Sequence, residues 1–194
     1  TFAVENATSS VDYVLSGTDG SANDHLKTDG SGNLAWVAPP AGGLSVAQTF
    51  RETSDHTNGA ASVVIGATNY EEADQAGYSS LGGITESAGV FTFPSTGRYL
   101  VMSVVQSSQA LAVTAYTRVQ YSSNSGVAWT NQSESIMTFT TSATYINNIV
   151  HAVVNIADIS TDRVQIEYAS SSSVNTIYGS SVQNLTYTTL IKLT

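Results

Sequence analysis

The sequence contains no cysteine, which excludes disulfide staples, thiolate metal sites and a cysteine nucleophile, and leaves the redox compartment undetermined. Charge is scarce as well: only 11% of the residues are charged, and Lys+Arg 6 against Asp+Glu 15 gives a net charge of −9. A phosphate backbone is repelled by such a field, so no nucleic-acid partner is expected. No apolar run approaches the roughly 20 residues of a membrane helix, and no basic-then-apolar leader is visible, so no membrane insertion is expected. The frames of nucleotide and acyl chemistry are missing too: there is neither a G-x-x-x-x-G-K-[ST] phosphate loop nor a G-x-S-x-G nucleophile elbow. His25, His56 and His151 are too dispersed to nominate a base or a metal triad.

What remains is a chain of 194 residues wetted mainly by Ser, Thr, Asn, Gln and Gly, a composition closer to secreted or virion-surface β-proteins than to cytosolic helical enzymes. Residues 1–43 lack long apolar runs and contain an echo. Thr18-Asp19-Gly20-Ser21-Ala22-Asn23 recurs as Thr28-Asp29-Gly30-Ser31-Gly32-Asn33. Asp-Gly steps tolerate positive φ, as tight turns between short strands require. Pro39 and Pro40 remove two ladder donors, and Ala41-Gly42-Gly43 follows as a joint, so a boundary is expected near residue 43. The expected division is a β-rich stalk or collar over 1–43 and a head over 44–194.

From Leu44 onward, runs rich in Val, Ile, Thr, Tyr and Phe alternate with Ser, Gly and Asn clusters, which predicts short strands over 44–51, 62–68, 89–93, 98–106, 113–122, 127–140, 144–156, 163–168 and 183–193. That spacing points to an all-β sandwich or jelly roll. No sustained 3.6-residue apolar stripe occurs, so almost no helix is expected. Residues 144–156 are unusual because both parities are apolar: Ile146, Val150, Ala152, Val154 and Ile156 on one, Tyr145, Ile149, His151 and Val153 on the other. A strand on a one-sided sheet alternates apolar with polar, so the second row needs cover of its own, which a subunit interface would provide.

Residues 89–101, GVFTFPSTGRYLV, resemble the G-x-F-x-x-P-x-x-G-x-Y-x-F signature of the globular heads shared by complement's first component (C1q) and tumour necrosis factor (TNF). The stretch 150–156 followed by Asp162-Arg163-Val164-Gln165-Ile166 is similar to that family's strand pair joined by a G-D-x-V turn, with Thr161 in place of the Gly. Residues 187–193 resemble its closing strand, with Thr189 where a Gly usually stands. The resemblance implies a ten-stranded jelly roll that assembles as a threefold homotrimer, with Tyr187 at the subunit contact. Parity adds Tyr145, Ile149, His151 and Val153 to that interface. Residues 26–37, LKTDGSGNLAWV, are similar to a short module of tailed-bacteriophage fibres, with Leu26, Leu34 and Trp36 expected to pack the stalk.

Candidate chemistry is sparse. Asp29, Ser31 and Asn33 alternate as oxygen donors, but an EF-hand counted from Asp29 would place Leu34 where Gly is needed and Pro40 where Glu is needed. A different cation loop using Asp19, Asp24 or Asp29 competes with plain Asp-Gly turns. Glu71, Glu72 and Asp74 read as a solvated acidic loop. His151 reads as a structural or interfacial imidazole, and an interface would make it pH-sensitive. Tyr70, Tyr78 and Tyr178 in Gly/Ser-rich loops, with Trp129 at a strand start, suit a glycan-binding rim, because rings stack on sugar faces. The same rings would serve equally as caps on the sandwich ends. Together these readings imply a non-enzymatic, homotrimeric receptor-binding tip of a phage tail fibre on the virion surface. Its expected partners are a bacterial surface polysaccharide or protein and an upstream fibre shaft, with no cofactor and no metal. The alternatives are a structural virion ornament, a C1q-like adhesin or ligand, and a polysaccharide-degrading tip. The last would need paired carboxylates, for which Glu71, Glu72, Asp74 and Glu86 form the only local cluster.

Overall fold

The computed structural model describes residue 17 and residues 20–39, 43–58, 62–109, 113–171 and 175–193. Thr18 and Asp19 of the first echo copy, and Pro40, Ala41 and Gly42 of the expected joint, lie outside the described residues. The chain divides into two compact units, Thr1–Gly43 and Leu44–Thr194.

In the first unit, β1 (His25–Thr28) and β2 (Leu34–Val37) form an antiparallel hairpin in which Leu26 faces Trp36 and Thr28 faces Leu34. Leu34 and Trp36 are two residues apart, so both share a face with Leu26. Leu26 and Trp36 remain 38% and 39% exposed. The indole also lies against Gly20, where an added Cβ would fall 2.8 Å from Trp36 Cγ. The turn between the strands is built by Asp29. Its carboxylate accepts the Ser31 amide at 2.7 Å, the Asn33 amide at 3.2 Å and the Asn33 side-chain amide at 2.6 Å. Those donors hold the Asp29 carboxyl below the usual range.

The second unit contains β3 (Ala47–Glu52), β4 (His56–Asn58), β5 (Val63–Val64), β6 (Tyr70–Glu72), β7 (Thr85–Ser87), β8 (Val90–Thr92), β9 (Gly97–Gln109), β10 (Thr114–Ser122), β11 (Thr130–Thr138), β12 (Ala143–Ile156), β13 (Arg163–Ser170), β14 (Asn175–Ile177) and β15 (Tyr187–Leu193). No helix occurs among the described residues. One sheet runs β11-β10-β13-β8-β7, with β5 also on β13. The other runs β4-β14-β9-β15-β3-β6, with β12 on the opposite edge of β9. The head therefore carries thirteen strands among the described residues rather than ten. The surplus consists of two- and three-residue pieces, too short to show a period.

The two sheets enclose an alternating core. On β9, Tyr99, Val101, Ser103, Val105, Ser107 and Gln109 point inward, while the residues between them are half-buried. The signature stretch forms a corner of this core. Phe91, Phe93, Tyr99 and Val101 are all buried, the Phe93 and Tyr99 rings are 4.6 Å apart, and the Tyr99 hydroxyl donates to the Ser95 carbonyl at 2.9 Å. The two positions where glycine was expected use other means. Asp162 is buried and its carboxylate accepts the Ala157 and Asp158 amides at 2.7 and 2.9 Å, which sets the turn containing Thr161. Thr189 pairs its hydroxyl with that of Thr49 at 2.9 Å.

Candidate functional site

The outer face of the larger sheet is the candidate surface most strongly marked by the sequence. On β12, Asn148, Val150, Ala152, Val154 and Ile156 fill the core, so the other parity must point away from it. Ile149 and Val153 are 60% and 55% exposed. The register places them in lateral rows across three strands: Ile149, Val104 and Tyr187; His151, Met102 and Thr189; Val153, Leu100 and Ile191. This band is apolar except for His151 and Thr189 in its middle row. Polar rungs close it at both ends: Gln106 donates to Asn147 at 3.0 Å on one side, and Arg98 faces Asn155 on the other. An apolar centre inside a polar rim is the anatomy of a protein interface. Covering what remains exposed of Ile149 and Val153 would contribute about 1–2 kcal/mol each.

Tyr145, expected in the same interface, lies outside the regular rows of this band. It occupies the register shift between Ala143 and Ile146, has a left-handed φ of +57°, and is 69% exposed. Its ring stacks on Tyr178 at 4.9 Å with 27° between planes. Tyr178 follows β14, and its backbone amide donates to the Gln106 carbonyl at 2.9 Å. Since β12 and β14 flank β9 on opposite sides, the two rings meet over β9, beyond the Gln106–Asn147 rung.

The other aromatic candidates are turned into the fold. Tyr70 lies on β6, not in an open loop; its ring packs 6.1 Å from Phe91 and its hydroxyl pairs with Thr188 at 2.9 Å. Burial drives its phenol well above the ordinary value. Tyr78 is half-buried and its hydroxyl accepts the Thr49 amide at 2.7 Å. Trp129, immediately before β11, is half-buried over its own turn, where a Cβ on Gly126 would lie 3.3 Å from the indole. Tyr70 and Tyr78 are thus structural rings, and of the four only Tyr178 belongs to an exposed aromatic cluster.

The acidic loop is not simply solvated. Arg51 is fully buried, and it donates to Glu71 at 2.8 Å, to the Gln75 amide oxygen at 2.9 Å, and to Asp74 and the Ser181 carbonyl. Glu71 and Asp74 therefore neutralise a buried cation, while Glu86 accepts the Gly89 amide. A second buried ionisable group, Glu52, escaped sequence reasoning. Its Oε1 accepts the Gly66 amide at 2.7 Å and its Oε2 lies 3.8 Å from His56 Nδ1. Burial, reinforced by the charge of Glu86, pushes its carboxyl up to about 7. Nothing in "AQTFRE" distinguishes this Glu from a solvated strand end; only the sheet packing does. His25, His56 and His151 fall on β1, β4 and β12, and no group of three potential metal ligands occurs among the described residues.

No protein-family model matches the chain, and no curated protein matches it in sequence. Solved structures do match in shape. Murine APRIL at pH 5.0 is 13% identical with a TM-score of 0.54, over 76% of this chain and 98% of that one. Eiger TNF from S. frugiperda is 12% identical with a TM-score of 0.54, over 78% of this chain and 94% of that one. At such identities the likeness concerns the fold alone, and the fold is a TNF-like all-β jelly roll.

Proposed function

We propose that the chain is a homotrimeric, non-enzymatic receptor-binding head of an extracellular appendage, a bacteriophage tail fibre by the resemblance of residues 26–37. The observation that carries this reading is the apolar band of Leu100, Met102, Val104, Ile149, Val153, Tyr187 and Ile191, in which Ile149 and Val153 remain 60% and 55% exposed. A second and third copy are its natural cover, since a threefold arrangement closes the surface without leaving an open edge for further growth. Residues 1–43 serve as the stalk that joins the head to an upstream shaft.

Three identical heads on one rigid body suit attachment, because linked weak sites raise avidity through effective concentration. The net charge of −9 discourages unspecific adhesion to anionic envelopes, leaving adhesion to specific contacts. The test is adsorption of the labelled protein to a panel of bacterial strains, beside the double variant Ile149→Asp/Val153→Asp. Strain-selective adsorption by the wild type, strongly reduced in the variant as it falls to monomers, is expected. Absence of adsorption by a well-folded wild-type trimer across the panel would favour a purely structural ornament.

A further inference from the structure

The Tyr145–Tyr178 end of the head combines an open aromatic face with hydrogen-bonding amides. A left-handed φ costs a non-glycine residue about 1 kcal/mol or more, and Tyr145 adopts one at +57°. Tyr178 backs its ring at 4.9 Å, so the exposed tyrosine face is held rigid and little side-chain freedom is lost on binding. Beside it, the Gln106–Asn147 hydrogen bond uses Gln106 Nε2 and Asn147 Oδ1, leaving Gln106 Oε1 as an acceptor and Asn147 Nδ2 as a donor. A ring face flanked by amide groups matches a pyranose, whose C–H face stacks while its hydroxyls exchange hydrogen bonds.

Charge narrows the ligand further. The five Lys and Arg residues of the head are all placed elsewhere. Arg51 is buried on Glu71 and Asp74, Arg118 is bound by Glu134 and Glu167, Arg163 donates to the Ile159, Ser160 and Asp162 carbonyls, and Lys192 donates to Ser95. Arg98 belongs to the opposite rung of the sheet. An acidic sugar would find no counter-charge on the head. The site also lies away from where the chain enters the head: Ala47 faces Ile191, which faces Leu100, whereas Tyr178 adjoins Gln106. From Arg98 to Gln106 the strand covers about 26 Å at ~3.3 Å per residue.

We propose that Tyr145 and Tyr178, with Gln106 and Asn147, bind an uncharged pyranose unit of a cell-surface polysaccharide at the end of the head remote from the incoming chain. This rests on the reading of the head as a receptor-binding domain. The full chain is applied to an array of neutral glucose-, galactose-, mannose- and N-acetylglucosamine-based oligosaccharides beside sialylated and uronate-containing ones, and the best binder is titrated by calorimetry. Binding confined to neutral sugars is expected, weakened about tenfold or more by Tyr145→Ala or Tyr178→Ala and changed less than about threefold by Tyr145→Phe. All three variants should keep the sedimentation and melting of the wild type. Unchanged affinity in Tyr145→Ala, a preference for acidic glycans, or no binding on the array would overturn the assignment. Equal adsorption of wild type and Tyr145→Ala to bacteria would sink this site alone. Tyrosine-dependent array binding without any bacterial adsorption would count against the appendage reading alone.

Discussion

Glu52→Gln should change how stability depends on pH. The Glu52 side chain is fully buried at the end of β3, and its carboxyl is raised from 4.5 to about 7. The folded state therefore holds the proton more tightly than the unfolded chain does. The resulting contribution is complete below pH 4.5, drains away as pH rises toward 7 and is flat above it, a loss of about 3 kcal/mol across the window. Glutamine keeps an oxygen to accept the Gly66 amide and carries no charge, so the variant lacks this decline and should be the more stable protein at pH 8. His56, 3.8 Å away, contributes with the opposite sign: burial pushes its imidazole down, so its stabilisation is lost as pH falls below the usual histidine range. It is present in both proteins, and the difference between their curves reports Glu52 together with its coupling to His56. Urea unfolding at fixed protein concentration from pH 4.5 to 8, followed by tryptophan fluorescence, gives that difference. Parallel curves would refute the reasoning.

Arg51→Ala should cost about 2 kcal/mol or more, read as a lower urea midpoint, because a fully buried side chain is removed and Glu71, Gln75 and the Ser181 carbonyl lose its donors. Gly89→Ala should cost about 2 kcal/mol or more, since φ is +79° and the new Cβ would sit 2.5 Å from the Ile65 carbonyl oxygen. Trp36→Ala should make residues 20–39 more sensitive to limited proteolysis while leaving cell adsorption unchanged; selective loss of adsorption would move the binding site into the first unit.

Much of the fold was legible because its information is local. The two apolar parities of β12 could be read directly, as could the buried Phe91, Phe93, Tyr99 and Val101 of the signature stretch. β4, β6, β7 and β14 were not, since three residues cannot display an alternation and their places depend on edges offered by other strands. The same limit explains Tyr70: beside Asn69 and Glu71 it reads as a loop residue, yet pairing of β6 with β3 turns it toward Phe91. The Tyr145–Tyr178 stack was hidden for a related reason, because the rings are brought together only through the register that β12 and β14 each make with β9. Arg51 and Glu52 are adjacent in a strand of ordinary composition, and only sheet packing reveals that both side chains are buried.

Assembly through the outer face of β9, β12 and β15 is tested most directly by sedimentation equilibrium of the full chain at micromolar concentration. A single species at three times the 20.3 kDa chain mass, converted to monomer by Ile149→Asp/Val153→Asp without loss of β-sheet circular dichroism, is the expected result. A stable wild-type monomer, or a trimer indifferent to both substitutions, would contradict it.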